Sequence, residues 1–190
     1  MCIRDRYIRG TWVQYTWMTL CMLTIFMGSM MAYREKVMKR RLAFSTVSQI
    51  SYILLGLSFL SEEGLQGGLL HLMGHMFSKG CLFLCAGAFM HKTGDSYIYE
   101  VNGIGRKMPV TFTCFTVSGL ALMGLPPLNG FISKWYLAEA AVETGSIMSV
   151  IGICVLLYSA LVTAIYMTTV SVRAFFPRKS ANLTLNSRIK

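Results

Sequence analysis

The stretch from Gly64 to His91, GLQGGLLHLMGHMFSKGCLFLCAGAFMH, is apolar enough to cross a membrane, yet it carries His71, His75 and Lys79 in its middle. Each follows the last by four residues, so on an α-helix their side chains drift by about 40° per step and line one face over about 12 Å of axis. A lysine at the centre of a spanning helix costs about 2.5–3.5 kcal/mol on insertion scales, and such residues face a bundle interior or a water-filled path. A lone span in lipid is therefore excluded, and neighbouring helices must cover this face. An ion or proton route along it is the first expectation.

Composition points the same way. Of 190 residues, 54% are hydrophobic and 14% charged, with a mean hydropathy of +0.54, which indicates an integral membrane protein built from helices. Thr11 to Tyr33 is an uncharged run, about 34 Å long as a helix and enough for one crossing. Leu42 to Ser61 is a second uncharged run, and Glu62, Glu63 and Gly64 read as a very short turn before the histidine-bearing helix. Ser45, Ser48, Gln49 and Tyr52 in the second run read first as interhelical hydrogen-bonding groups.

After His91 the stretch KTGDSYIYEVNGIGRKM reads as a polar loop. Met108 to Ser133 is again uncharged, but Pro126 and Pro127 stand in its centre with Gly124 and Gly130 beside them. Two consecutive prolines remove two backbone donors and clash with the carbonyls of Leu122 and Met123, so no regular helix runs through this point. Either two spans meet at the prolines, or one crossing is broken there. Loop charge arbitrates. One broken crossing gives five spans and puts residues 34–41, 92–108 and 173–190 on one side of the membrane. That side holds Arg34, Lys36, Lys39, Arg40, Arg41, Lys92, Arg106, Lys107, Arg173, Arg178, Lys179, Arg188 and Lys190. A sixth span would split this basic set, against the positive-inside bias. The expected architecture is an all-α integral membrane bundle of about five transmembrane helices, one discontinuous at Pro126–Pro127. Ile147 to about Val172 forms the last crossing. Residues 1–10 are a head set apart, 11–177 the transmembrane domain and 178–190 a disordered tail.

The net charge of +10 does not indicate nucleic acid, because the basic residues cap apolar runs instead of covering a soluble face. Six cysteines lie mostly within apolar runs and read as packing residues without disulfides or a metal site. No nucleophile elbow, phosphate loop or dinucleotide fingerprint is present, so no cofactor and no redox site of the chain's own is expected. The chemistry-bearing candidates are therefore the intramembrane ones. Lys134 directly follows the break, where freed carbonyls and half-helix ends line cavities, and Glu139 stands five residues on as its companion. Lys79 is a poised proton carrier, and His71 and His75 suit a relay. A scaffold whose buried charges only specify helix pairing, and a divalent-metal carrier using the two histidines, are the competing readings.

Three segments carry a family resemblance: Lys39 to Tyr52 (KRRLAFSTVSQISY), His71 to Gly87 (HLMGHMFSKGCLFLCAG) and Gly119 to Lys134 (GLALMGLPPLNGFISK). In order and spacing they resemble the antiporter-like membrane subunits of respiratory complex I (NADH:quinone oxidoreductase), Mrp Na⁺/H⁺ antiporters and membrane-bound hydrogenases. The resemblance implies that the chain is a C-terminal piece of a larger subunit and holds its second helical repeat. It further implies Lys134 as the terminal residue of a proton path, Lys79 as the preceding central lysine, and His71 and His75 as the connecting relay. Other membrane subunits of one complex, the lipid bilayer, and protons with Na⁺ as a second candidate cation are the implied partners. A multi-pass location in a prokaryotic cytoplasmic membrane follows.

Overall fold

The computed structural model describes residues 9–176, and every count below refers to those residues. They form six α-helices: α1 (Trp12–Arg34), α2 (Met38–Ser58), α3 (Glu62–Thr93), α4 (Pro109–Met123), α5 (Asn129–Thr144) and α6 (Ile147–Phe175). Helices α1, α3 and α6 are each long and apolar enough to cross a membrane. Helix α2 is more polar, but its 21 residues span about 31 Å, again one bilayer core. The proposed tail, and all of the head but Arg9 and Gly10, lie outside the described residues.

Helices α4 and α5 together make a single broken crossing. Both lie along α3, and their partners on α3 run in reverse order from one end to the other. Phe112 meets Phe89 edge-on with ring centroids 6.1 Å apart. The Cys81 thiol approaches the Cys114 carbonyl. Past the break, the Asn129 side chain donates to the Leu70 carbonyl at 3.3 Å, and Tyr136 and Leu137 press against Gly67. Two spans folded back at the prolines would have revisited the same end of α3; here the chain continues along it. With α1, α2, α3 and α6 this makes five crossings, as the loop charges indicate.

The basic loops do meet at one end. Val37 and Tyr97 form an isolated antiparallel bridge, Met38 N–H donates to Ser96 O and Ile98 N–H to Lys36 O, both at 3.0 Å, and Gly103 N–H donates to Arg173 O at 3.0 Å. The segment between α3 and α4 is more than a polar loop. Ile98, Val101 and Ile104, three residues apart, sit in two 3₁₀ turns and are buried under the bundle end.

Two boundaries differ from the sequence expectation. Helix α2 starts at Met38, so Lys39, Arg40 and Arg41 lie in its first turn. Glu62, Glu63 and Gly64 are the first turn of α3 and not the connection, which is Phe59 to Ser61. The Ser61 hydroxyl caps α3 by accepting from Gly64 N–H at 3.0 Å, and the two acids complement the positive end of the helix dipole.

Apolar packing divides into two clusters with a polar layer between them. One lies at the basic end around Leu82, Phe89, Phe112, Phe115 and Met167. The other lies at the opposite end around Ile25, Tyr52, Phe59, Leu137 and Leu156. Between them the hydroxyls of Ser29, Ser48 and Ser159 join α1, α2 and α6: Ser48 is 3.0 Å from Ser29 and 3.1 Å from Ser159, and Ser29 also contacts Ser159. All three are buried, and every hydroxyl is satisfied within the trio or by the Ile25 carbonyl. Interhelical hydrogen bonds of this kind are each worth about 0.6–2 kcal/mol in membranes. Ser48→Ala should therefore lower the stability of the detergent-solubilised protein by about 1 kcal/mol in thermal unfolding.

Candidate functional site

The remaining polar side chains of the layer come from α2, α3 and the broken helix, and they converge. On α2, residues 45, 49 and 52 share one face by helical spacing. On α3, residues 71, 75 and 79 do the same, and the two helices run antiparallel, so partners pair in opposite order. Lys79 is 5% exposed, and its ammonium donates to the Leu42 carbonyl at 2.8 Å and to the Ser45 hydroxyl. Two turns back, His71 contacts Gln49 Oε1 through Nε2 at 2.9 Å and Ser133 Oγ through Nδ1 at 2.9 Å. Gln49 and Ser133 are fully buried. The His75 ring lies 6.4 Å from that of His71 and near parallel to it, with its Nε2 buried and free of any protein partner among the described residues.

The break supplies the second half of the site. Helix α4 ends at Gly124, whose left-handed φ of 89° closes it. A helix C-terminus leaves four carbonyls without helical partners, and in a membrane interior each must find one. Leu120 and Ala121 are capped by backbone N–H groups of Gly124 and Leu125. The other two, Leu122 and Met123, accept from the Lys134 ammonium at 3.0 and 2.8 Å. Lys134 thus reaches back from α5 across the break and places its charge at the negative end of the α4 dipole. Its ammonium also stands 5.7 Å above the Tyr52 ring, and that ring meets His71 edge-on at 5.5 Å.

A cavity of about 20 Å³ lies between the two halves, lined by His71, His75, Ser78, Leu122, Asn129 and Ser133 among others. That is room for one water molecule, with enough polar lining to hold it. It touches both histidines and the residue whose carbonyl binds Lys134. Chemically the arrangement is a row of titratable amines and imidazoles held inward, with Lys79, His71 and Lys134 on neutral hydrogen-bond partners and His75 on none among the described residues. It offers no nucleophile activated by a base.

The structure brings Lys79, His75, His71 and Lys134 to one interior layer. It does not bring Glu139 there: five residues on a helix turn the side chain by about 140° from Lys134, and Glu139 is exposed on the outer face of α5. Pro126, Pro127 and Gly130 flank the break, with the Pro126–Pro127 peptide in the cis form. By sequence alone Gln49 and Ser45 read as helix glue, and nothing singles out Ser133 or Asn129. The available signal was the matched spacing, since Ser45 and Gln49 repeat on α2 the register of Lys79 and the histidines on α3.

Residues 2–172 match the family described as NADH:quinone oxidoreductase/Mrp antiporter, TM, a range that takes in most of the head set apart in the sequence reading. The chain is 40% identical over 151 residues to NADH-quinone oxidoreductase subunit N of Desulforudis audaxviator (strain MP104C), covering 80% of this chain and 30% of that protein. Among solved structures, the Mrp complex from Dietzia sp. DQ12-45-1b superposes with a TM-score of 0.82 at 30% identity, covering 92% of this chain and 32% of the matched one. An archaeal membrane-bound sulfane sulfur reductase superposes with a TM-score of 0.80 at 26% identity, covering 92% and 37%. The chain thus spans about a third of the length of these relatives.

Proposed function

This chain belongs to the NADH:quinone oxidoreductase/Mrp antiporter membrane family, and from that premise we propose that it is a proton-translocating part of a multi-subunit, cation-translocating membrane complex. Protons pass along the interior layer between Lys79 and Lys134 by way of His75 and His71, with the cavity water joining the histidines. The observation that carries this reading is the gathering of His71, His75 and Lys79 of α3, all buried, and the half-buried Lys134 of the broken helix onto one interior layer between two apolar clusters. A lysine retained at such depth needs a use, because an apolar residue there would insert at less cost.

The metal-carrier alternative is weaker, since both ring nitrogens of His71 are engaged by Gln49 and Ser133 and neither is left for a metal. The complex sits in a prokaryotic cytoplasmic membrane with the basic loop end inside, and its partners are the other membrane subunits and the bilayer. Na⁺ remains the second candidate cargo.

The test replaces Lys79 in the protein as purified with its membrane partners. In proteoliposomes, Lys79→Met should lower proton transport by at least about hundredfold, the low end of what losing a positioned proton carrier costs. Proton flux equal to that of the unaltered protein would remove Lys79 from the path.

A further inference from the structure

A neutral imidazole carries one N–H donor and one bare nitrogen, and which is which decides where it exchanges its proton. At His71 both positions are spoken for, by Gln49 Oε1 at Nε2 and by Ser133 Oγ at Nδ1. Gln49 is fully buried, its side-chain amino group has no protein partner among the described residues, and its carbonyl oxygen is the atom that faces the ring. Ser133 has a second acceptor within reach, the Gly130 carbonyl at 3.2 Å.

Resting on the relay reading above, we propose that Gln49 is the positioning residue of His71: its carbonyl oxygen pins the Nε2–H, so that the imidazole takes up and releases its proton at Nδ1 alone, across the Ser133 hydroxyl. The two charge states then differ by one hydroxyl rotation. In the neutral ring, Nε2–H donates to Gln49 and the Ser133 hydroxyl donates to bare Nδ1. On uptake, the hydroxyl hands its proton to Nδ1 and takes the incoming proton on the same oxygen. Ser133 then donates to Gly130 O and accepts from Nδ1–H, while Gln49 keeps accepting from Nε2–H. Every donor in the imidazolium state has an acceptor, and release is the reverse. An amide oxygen cannot pass a proton on, so the Gln49 side is closed. His71 acts as a store facing the cavity and not as a wire through its ring.

Only three histidines occur in the chain, His71, His75 and His91. Selective ¹⁵N labelling of histidine in the full chain, in lipid vesicles at a pH where the rings are neutral, therefore reads the tautomer directly, with His75→Gln and His91→Gln giving the assignment. The expected spectrum shows His71 with protonated Nε2 and bare Nδ1. Gln49→Glu, which keeps an acceptor, should preserve that single form; Gln49→Met, which removes it, should give both forms. A wild-type His71 protonated at Nδ1 overturns the proposal by putting the amide the other way round, and so does a single Nε2–H form in Gln49→Met. If Gln49→Met does not fold, the wild-type and Gln49→Glu spectra decide alone. Failure of the relay itself reads differently: wild-type proton flux in His71→Gln would remove the relay and leave the tautomer assignment standing.

Discussion

Lys134→Arg is expected to leave the bundle assembled while lowering proton transport on the order of hundredfold, the scale of a lost general acid–base group. Two roles meet at this lysine. Its ammonium satisfies the last two carbonyls of α4, and it is the cation next to the cavity. Arginine keeps donors enough for both carbonyls but cannot release a proton under any condition a cell meets. Methionine abolishes both roles. It leaves two carbonyls unsatisfied within the membrane, each costing about 1–3 kcal/mol, so Lys134→Met should lose stability as well as transport. Thermal unfolding in detergent reads the first role, and dye-monitored flux in proteoliposomes reads the second. A scaffold role predicts the opposite pattern for arginine, with transport preserved wherever assembly is preserved. Flux at the wild-type level in an assembled Lys134→Arg protein would falsify the relay through this residue.

The separation of these roles also explains what could be read from residue order. The crossing count was legible because the distribution of lysine and arginine between loops is a long-range constraint written in local terms, and the hydrogen bonds from Met38 to Ser96, from Ile98 to Lys36 and from Gly103 to Arg173 put those loops at one end. The break was legible because two prolines cannot sit in a continuous helix. The partners of the titratable groups were not. Gln49 and Ser133 lie 22 and 62 residues from His71, and nothing local marks a serine in NGFISK as facing a histidine. Two helix boundaries moved for a related reason. Charge in the sequence reads as loop, whereas Lys39 to Arg41 and Glu62 to Glu63 lie at the ends of helices, where a charged side chain reaches water while its backbone stays helical. Proximity in sequence makes Glu139 a companion of Lys134, but helical phase carries it to another face.

The break depends on one close approach. A Cβ placed on Gly130 would collide with the Ala121 carbonyl oxygen, and it would also stand 3.3 Å from the Gly124 Cα. Both obstacles are backbone, so no side-chain rotation relieves them. Gly130→Ala should therefore push the start of α5 away from the end of α4 and destabilise the protein by about 3 kcal/mol, the upper range for overpacking. The displacement acts on function as well, because the Leu122 and Met123 carbonyls move relative to Lys134 and the hydroxyl of Ser133, three residues on, moves relative to His71. Transport should fall together with stability. Gly80→Ala on α3 is the control, since a Cβ there meets nothing within 4 Å. Alanine in an open helix position should raise stability by about 0.5–1 kcal/mol through helix propensity alone. Unfolding temperatures of the two variants in the same detergent should thus move in opposite directions from the unaltered protein. If Gly130→Ala melts with the wild type, the half-helices are not held at the contact described, and the carbonyl seat of Lys134 loses its structural basis.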